Sequence, residues 1–195
     1  MDLFFAQHAE KRSAPDDPQL TPRGQSQAKA VATHLRQLPI EAVYSSPLKR
    51  ALETAATIAE LCAVDVVTDA ELTERMNWTR NCGLSLFEFM DEWRRATADR
   101  SYTPVVGESS TDAGARLAGW IRSAATKHRG TVVCVTHGGV TIDLFRTLIG
   151  DAELQHRAPG LIDAGVPPGA ISHIKVVGHD VEVIDIANLQ HLVDC

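Results

Sequence analysis

The sequence has no hydrophobic run long enough to cross a membrane and no excess of positive charge. The apolar stretch at residues 1–6 is too short for a signal peptide or a membrane span, and no basic region precedes it. The formal net charge is −6, which gives no support for nonspecific binding to nucleic acid or to an anionic membrane. We therefore expect a cytoplasmic protein with no nucleic-acid or membrane partner, in which a local basic cluster would bind any anionic ligand.

Cysteine is scarce, and the histidines follow no metal-binding pattern. The four cysteines show no CxxC or Cys/His spacing. Because a chain of 195 residues can bury a sizeable core, we expect free thiols in place of a disulfide framework. Cys134 lies in an apolar run and is expected to be a small buried hydrophobe, and Cys195 does not form a prenylation motif. No HxxxH spacing occurs, so neither a metal nor another cofactor is expected.

Strand-like and helix-like segments alternate along the chain, which is typical of an α/β fold. Thr21-Pro22 and Ser46-Pro47 each place a proline after a residue that favours the N-cap, so each predicts a helix start. Strands are predicted at residues 3–7, 42–45, 64–68, 131–136, 171–177 and 181–186, and helices at 21–37, 46–59, 85–95, 113–124 and 138–149. We expect a three-layer α/β/α sandwich with a largely parallel sheet, forming a single domain over residues 1–195 with a lid-like insertion at about 69–109.

Polar residues follow three of the predicted strands: Gln7-His8, then Ser45-Ser46 with Arg50, then Thr136-His137-Gly138. Ligands of open α/β sheets bind beyond the carboxyl ends of the strands, and the helix N-termini that follow Pro47 and His137 favour an anion. Arginine can bind phosphoryl oxygens, a neutral histidine can attack phosphorus, and a protonated one can stabilise the transition state. The same residues also fit a structural histidine, a solvated arginine and a tight turn, so this pattern alone leaves both interpretations open.

Four segments resemble motifs of the histidine phosphatase (phosphoglycerate-mutase-like) superfamily, in the order of that family. They are residues 20–28 (LTPRGQSQA), 45–55 (SSPLKRALETA), 107–109 (GES) and 135–139 (VTHGG). Together they extend over nearly the whole chain. The resemblance implies a phosphoglycerate-mutase-like fold and a reaction through a phosphohistidine.

The resemblance also implies a role for individual residues. His8 would be the nucleophile, and the phosphoryl group would be bound by the residues around it: Gln7, Arg50, His137 and Gly138. Glu74, in the segment Leu72-Thr73-Glu74, would protonate the leaving group and then activate water, although a solvated loop carboxylate is the alternative. Glu108 would either orient a histidine or cap the helix that begins near Ser109.

The residues beside His8 depart from the family pattern. The motif Arg-His-Gly is Gln7-His8-Ala9 in this chain. The loss of one charge-assisted contact to phosphate would cost on the order of 1.5–3 kcal/mol, and Ala9 adds a Cβ atom near the site. Either Lys11 or Arg12 restores the missing charge, or the protein binds phosphorylated ligands and turns them over slowly or not at all.

The resemblance therefore predicts a phosphomonoester hydrolase that acts on a small phosphorylated metabolite. A phosphoglycerate-type mutase is the alternative, because Glu74-Arg75 also resembles mutases; the modest insertion exposes the intermediate to water and favours hydrolysis. Substrate contacts are expected from residues 151–169 and from the aromatic side chains Phe87, Phe89 and Trp93. Three arginines, Arg75, Arg80 and Arg157, would either contact a second anionic group of the substrate or lie solvated at the surface. The substrate and the oligomeric state, a homodimer included, stay open.

Overall fold

A six-stranded sheet forms the centre of the protein, for which the computed structural model describes residues 1–193. Cys195 lies outside the described residues. The strands are β1 (Asp2–Gln7), β2 (Ile40–Ser45), β3 (Val66–Thr68), β4 (Thr131–Thr136), β5 (Ile171–Val177) and β6 (Asp180–Asn188), in the order β3-β2-β4-β1-β5-β6. The pairs from β3 to β1 are parallel, whereas β5 pairs antiparallel with β1 and with β6.

Helices cover both faces of this sheet, which confirms the predicted three-layer α/β/α architecture. They are α1 (Pro22–Leu35), α2 (Lys49–Cys62), α3 (Leu86–Ala98), α4 (Ser110–Lys127), α5 (Gly138–Arg157) and the short α6 (Leu161–Ala164). Alternate residues of β1 point to opposite faces: Phe5 packs in the cluster formed with α4 and α5, and Ala6 packs in the cluster formed with α1 and α2. Cys134 is fully buried, as expected.

The two predicted N-caps have different outcomes. Thr21 caps α1, since its hydroxyl accepts a hydrogen bond from the Gly24 amide at 2.9 Å. Ser46 does not cap α2, which begins at Lys49 after Leu48, so that prediction was wrong. The Ser46 hydroxyl instead contacts a histidine of the site described below, and a carboxylate from another part of the chain takes over the cap.

The C-terminal half of the chain contains more helix than the sequence predicts. The helix that begins at Gly138 ends at Ile149, as predicted, because Gly150, with φ of 79° and ψ of 161°, is not helical; a second helical stretch then continues α5 to Arg157. The short helix α6 follows, within residues 151–169. Within residues 1–193, no helix is both long and apolar enough to cross a membrane.

The segment 69–109 contains α3, which extends three residues beyond its predicted end. Ser85 and Glu88 form a capping box at its start. A small apolar cluster that includes Met76, Phe89 and Ala96 fixes α3 to the rest of the segment. The segment 69–109 thus contains one helix, α3, and a small apolar cluster, and it lies beside the carboxyl ends of the strands.

Candidate active site

The three polar segments meet at one edge of the sheet, beyond the carboxyl ends of β1, β2 and β4. His8 follows β1 and His137 follows β4, and their ring centroids lie 5.2 Å apart. The His8 amide donates to the Thr136 carbonyl at 3.0 Å, which continues the parallel pairing of the two strands into the site. Ser46, after β2, contacts His137 Nε2 through its hydroxyl at 2.7 Å.

His8 is held with its Nε2 atom in the form required of a nucleophile. Its Nδ1 atom lies 2.8 Å from the Ala9 carbonyl oxygen, and because a carbonyl only accepts, Nδ1 carries the proton and Nε2 the lone pair. The Gln7 side-chain amide donates to Nε2 at 3.3 Å. Burial, followed by the positive charge of Arg50, lowers the pKa of His8 to about 3. The ring is therefore neutral at physiological pH.

Arg50 and His137 bring unpaired donor and acceptor atoms to the same place. The Arg50 side chain is 4% exposed, and its Nη2 donates to Asn77 Oδ1 at 3.3 Å. Among the described residues, Arg50 Nε and Nη1 and His137 Nδ1 are buried without a hydrogen-bond partner, and Arg50 Nη1 has only a longer ionic contact, 3.8 Å to Asp17 Oδ1. Buried polar atoms are normally satisfied, and a phosphoryl group supplies the acceptor oxygens that a guanidinium binds best.

His137 is neutral in this structure, which differs from the protonated form expected from the sequence. Burial, followed by the neighbouring ionisable side chains of His8 and Arg50, holds the pKa of His137 well below its usual range. Both causes act against adding a second positive charge to a buried cluster. The negative charge of a phosphoryl group beside the ring would oppose them and favour the protonated form.

Both helix N-termini expected to bind an anion are covered by carboxylates of the chain itself. Asp17 accepts from the Lys49 amide at the start of α2, at 2.8 and 3.0 Å. Glu74 accepts from the amides of Gly139 and Val140 at the start of α5, at 2.9 and 2.8 Å. The amides of Lys49, Gly139 and Val140 are therefore occupied by carboxylates of the chain, whereas phosphate binding by Gly138 stays a prediction. The actual effect of the α5 amides is to fix the Glu74 carboxylate at the edge of the site.

The site opens into a cavity of about 480 Å³ beside α3. His8, Arg50 and Glu74 line it, together with Lys11, Phe89 and Trp93. Neither Phe87 nor the 151–169 segment lines it, so of the residues predicted to contact the substrate only Phe89 and Trp93 border the cavity. Phe87 is 75% exposed, because it lies on the outer side of α3.

The histidine phosphatase superfamily (branch 1) matches this chain over residues 6–187. The chain belongs to the histidine phosphatase superfamily. A protein of Escherichia coli O1:K1 named as a probable phosphoglycerate mutase is 32% identical over 151 residues, which are 73% of this chain and 69% of that protein. Two solved structures share the fold. A mycobacterial glucosyl-3-phosphoglycerate phosphatase with inorganic phosphate has a TM-score of 0.77 at 21% identity, with 99% of each chain covered. An Entamoeba histolytica phosphoserine phosphatase mutant in complex with phosphoserine has a TM-score of 0.74 at 22% identity, with 98% of this chain and 99% of that chain covered.

In this member of the superfamily, Arg75 neither contacts a ligand site nor lies solvated, so both interpretations of this residue were wrong. Its side chain is 2% exposed and donates to both carboxylate oxygens of Asp143, on α5, at 3.1 and 3.2 Å. The guanidinium also stacks 4.2 Å from the Trp93 ring and donates to Thr97 on α3. Arg75 thus joins α3 and α5 directly behind Glu74. Neither of the other two arginines lines the cavity: Arg80 pairs with Asp16, which does line it, and Arg157 donates to the Ile184 carbonyl.

Glu108 also differs from both expectations. Ser109 is the N-cap of α4, and Glu108 instead accepts hydrogen bonds from Arg116. Arg116 further donates to the carbonyls of Glu71 and Thr73, the latter at 3.0 Å, so the pair fixes the backbone that leads to Glu74. The sequence does not reveal the role of Arg116, because its pattern is that of an ordinary surface charge on a helix.

The flanks of His8 are accommodated in a way that the sequence does not reveal. Ala9 is fully buried with Leu20 and Ala28, and its amide donates to Thr54 Oγ1 at 3.1 Å. Its Cβ atom therefore belongs to the core. Lys11 lines the cavity and its charge reaches His8, whereas Arg12 lines a separate groove beside α1 and α2.

Within the part of the chain that the structure describes, no group of three or more His, Cys, Asp or Glu side chains is placed to hold a metal ion.

Proposed function

We propose that this protein is a phosphomonoester hydrolase that transfers the phosphoryl group of a small phosphorylated metabolite through His8. The observation that carries the proposal is the neutral His8 ring, with its Nε2 lone pair in the same cavity as the buried, partly unpaired Arg50 guanidinium. The relatives named as phosphatases of small phosphorylated molecules support it.

The reaction proceeds in two displacements. His8 Nε2 attacks phosphorus, a P–N bond forms, and the ester P–O bond breaks while Glu74 gives its proton to the leaving oxygen. Glu74 then takes a proton from water, the water oxygen attacks phosphorus, and the P–N bond breaks to release phosphate. Arg50 and His137, with the backbone around Gly138, stabilise the negative charge of both transition states.

The test combines turnover with detection of the intermediate. Wild-type protein is mixed with 4-nitrophenyl phosphate, quenched in alkali, and assayed for an acid-labile, alkali-stable phosphoenzyme. We expect His8→Asn to lose the phosphoenzyme and to reduce kcat by roughly a thousandfold or more. The matched control is His179→Asn, which changes an exposed histidine in the β5–β6 turn. An active His8→Asn variant would contradict the proposal, and absence of both turnover and phosphoenzyme in the wild type would favour a binding protein.

A phosphoglycerate-type mutase is the second candidate because relatives at 32% identity carry that name. A mutase returns the phosphoryl group to a second hydroxyl and must bind a second anionic group. Arg75, the arginine that would suit that task, is occupied by Asp143. We therefore expect free phosphate from 3-phosphoglycerate with its bisphosphate primer, and the appearance of 2-phosphoglycerate would reverse the choice.

The replacement of the motif arginine by Gln7 is proposed to reduce the rate without abolishing it. The Gln7 amide donates to His8 Nε2, which orients the nucleophile but adds no charge for the phosphoryl oxygens. Lys11 supplies a positive charge near His8. We infer that Lys11 compensates in part, whereas Arg12 lies in a different groove.

A further inference from the structure

We propose that the preferred substrate is a phosphomonoester whose alcohol portion is apolar and carries no second anionic group. This inference rests on the proposed function and adds the substrate class. It starts from the unequal chemistry of the two ends of the cavity. The catalytic end is formed by His8, Arg50 and Glu74, and most of the remaining wall is apolar: Ala14, Pro15, Pro18, Met76, Trp78, Leu86, Phe89, Met90 and Trp93.

Helix α3 presents a continuous apolar stripe to the cavity. Leu86, Phe89, Met90 and Trp93 follow the spacing of three and four residues that places side chains on one face of a helix. Phe89 is also part of the small apolar cluster of the segment, but Leu86 is 53% exposed and Met90 is 43% exposed. The exposed surface of Leu86 and Met90 is therefore available to an apolar group in the cavity. Binding such a group there is favourable because it removes apolar surface from water.

The charges of the wall disfavour a second anion. Lys11 and Arg50 are the only lysine or arginine residues among the described residues that line this cavity, and both act electrostatically at the His8 end. The other charged lining residue, besides Glu74, is Asp16, which is anionic and pairs with Arg80. A carboxylate or second phosphate on the substrate would thus meet apolar side chains and an Asp16 carboxylate already paired with Arg80, and the wall offers it no lysine or arginine besides the two at the His8 end.

The test compares three primary alkyl phosphates of similar length: hexyl phosphate, 2-(2-methoxyethoxy)ethyl phosphate and 5-carboxypentyl phosphate. We expect kcat/KM to be roughly ten- to a hundredfold higher for hexyl phosphate than for either polar ester, since several methylene groups leave water. Equal rates for the three esters, or preference for the carboxylate ester, would overturn the inference.

Variants on α3 assign the preference to the apolar stripe. In the double variant Leu86→Ser/Met90→Ser, the kcat/KM for hexyl phosphate should fall towards that for the polar esters, mainly because its KM rises. Phe87→Ser is the matched control, because Phe87 is on the same helix and is more exposed but does not line the cavity. A preference that survives in the double variant, or that falls equally in the control, would contradict the assignment.

Binding measurements separate this inference from the proposed function. Isothermal titration of the His8→Asn variant with hexyl phosphate and with its ether analogue measures the preference without turnover. Tighter binding of hexyl phosphate supports the apolar site even if the wild type hydrolyses none of the esters, in which case the proposed function fails alone. Equal affinities overturn the inference whatever the activity.

Discussion

The contact between Gly139, Glu74 and Trp93 makes the sharpest prediction about this site. A Cβ atom at Gly139 would lie 2.6 Å from Trp93 Cη2 and 2.7 Å from Glu74 Oε1, well inside van der Waals distance. Glu74 is fixed by hydrogen bonds to the start of α5, and Trp93 is held by the Arg75 guanidinium. Neither side chain can move away freely, so Gly139→Ala should disturb both.

The expected cost follows from these distances. Overpacking of this kind costs about 1–3 kcal/mol, and the gain in helix propensity from glycine to alanine returns at most about 1 kcal/mol. For a chain of this length, a net loss of ~1–2 kcal/mol lowers Tm by roughly 2–8 °C. Gly138→Ala is the matched control for stability, because the nearest atoms to its added Cβ lie at 3.4 Å, and its Tm should stay close to the wild-type value.

Activity should fall through Glu74. A displacement of the carboxylate approaching 1 Å can reduce kcat by about a hundredfold. The loss should be larger for an alkyl phosphate, whose leaving oxygen needs a proton, than for 4-nitrophenyl phosphate, whose leaving group is stable as the anion. Thermal unfolding and steady-state kinetics with both esters measure these effects. If Gly139→Ala matches Gly138→Ala in Tm and treats the two esters alike, the proposed position and role of Glu74 are wrong.

Two further perturbations test the charges around the site. Lys11→Met should reduce kcat/KM by roughly tenfold, whereas Arg12→Met should leave it nearly unchanged. Adding Gln7→Arg to the Lys11→Met variant should restore activity. Equal losses from the two single variants would refute the idea that Lys11 compensates for the missing motif arginine. Burial raises the pKa of Asp143 to about 6 despite the opposing effect of Arg75, so the folded protein holds this proton more tightly than the unfolded chain between about pH 4 and 6. The carboxyl group therefore stabilises the fold more as the pH falls, and the difference in unfolding free energy between wild type and Asp143→Asn should shift by about 2 kcal/mol in favour of the wild type from pH 7 to pH 4. Urea unfolding at both pH values measures this, and a constant difference would contradict it.

The elements of the fold follow closely from local sequence patterns, and their ends follow less closely. Strand β4 matches its predicted range because an unbroken apolar run is buried on both faces of the sheet. Helix α2 starts later than Ser46-Pro47 indicates, because the Ser46 hydroxyl is engaged by His137 and Asp17 supplies the cap. A local sequence pattern contains no information about a hydrogen bond to a residue 91 positions away, so it cannot show that the Ser46 hydroxyl is already engaged.

Arginine side chains show the same limit at the candidate site. Arg75 and Arg116 look alike in the sequence, as charges in a loop and on a helix. The fold buries Arg75 against Asp143, 68 positions away, and sets Arg116 across the backbone that leads to Glu74. Whether an arginine binds a ligand, fixes the scaffold or lies in water depends on which carboxylate the fold brings beside it.

The sequence by itself determined the family, the order of strands and helices, and the placement of His8, Arg50 and His137 beyond the strand ends. These properties depend on the local periodicity of hydrophobic residues and on motifs that are continuous in the chain. Only the tertiary structure decided that Glu74 caps α5, that Lys11 and not Arg12 reaches the cavity, and that α3 lines it with apolar side chains. The reason is physical: burial, pairing and pKa depend on distances between residues far apart in the chain, and those distances exist only once the layers have packed.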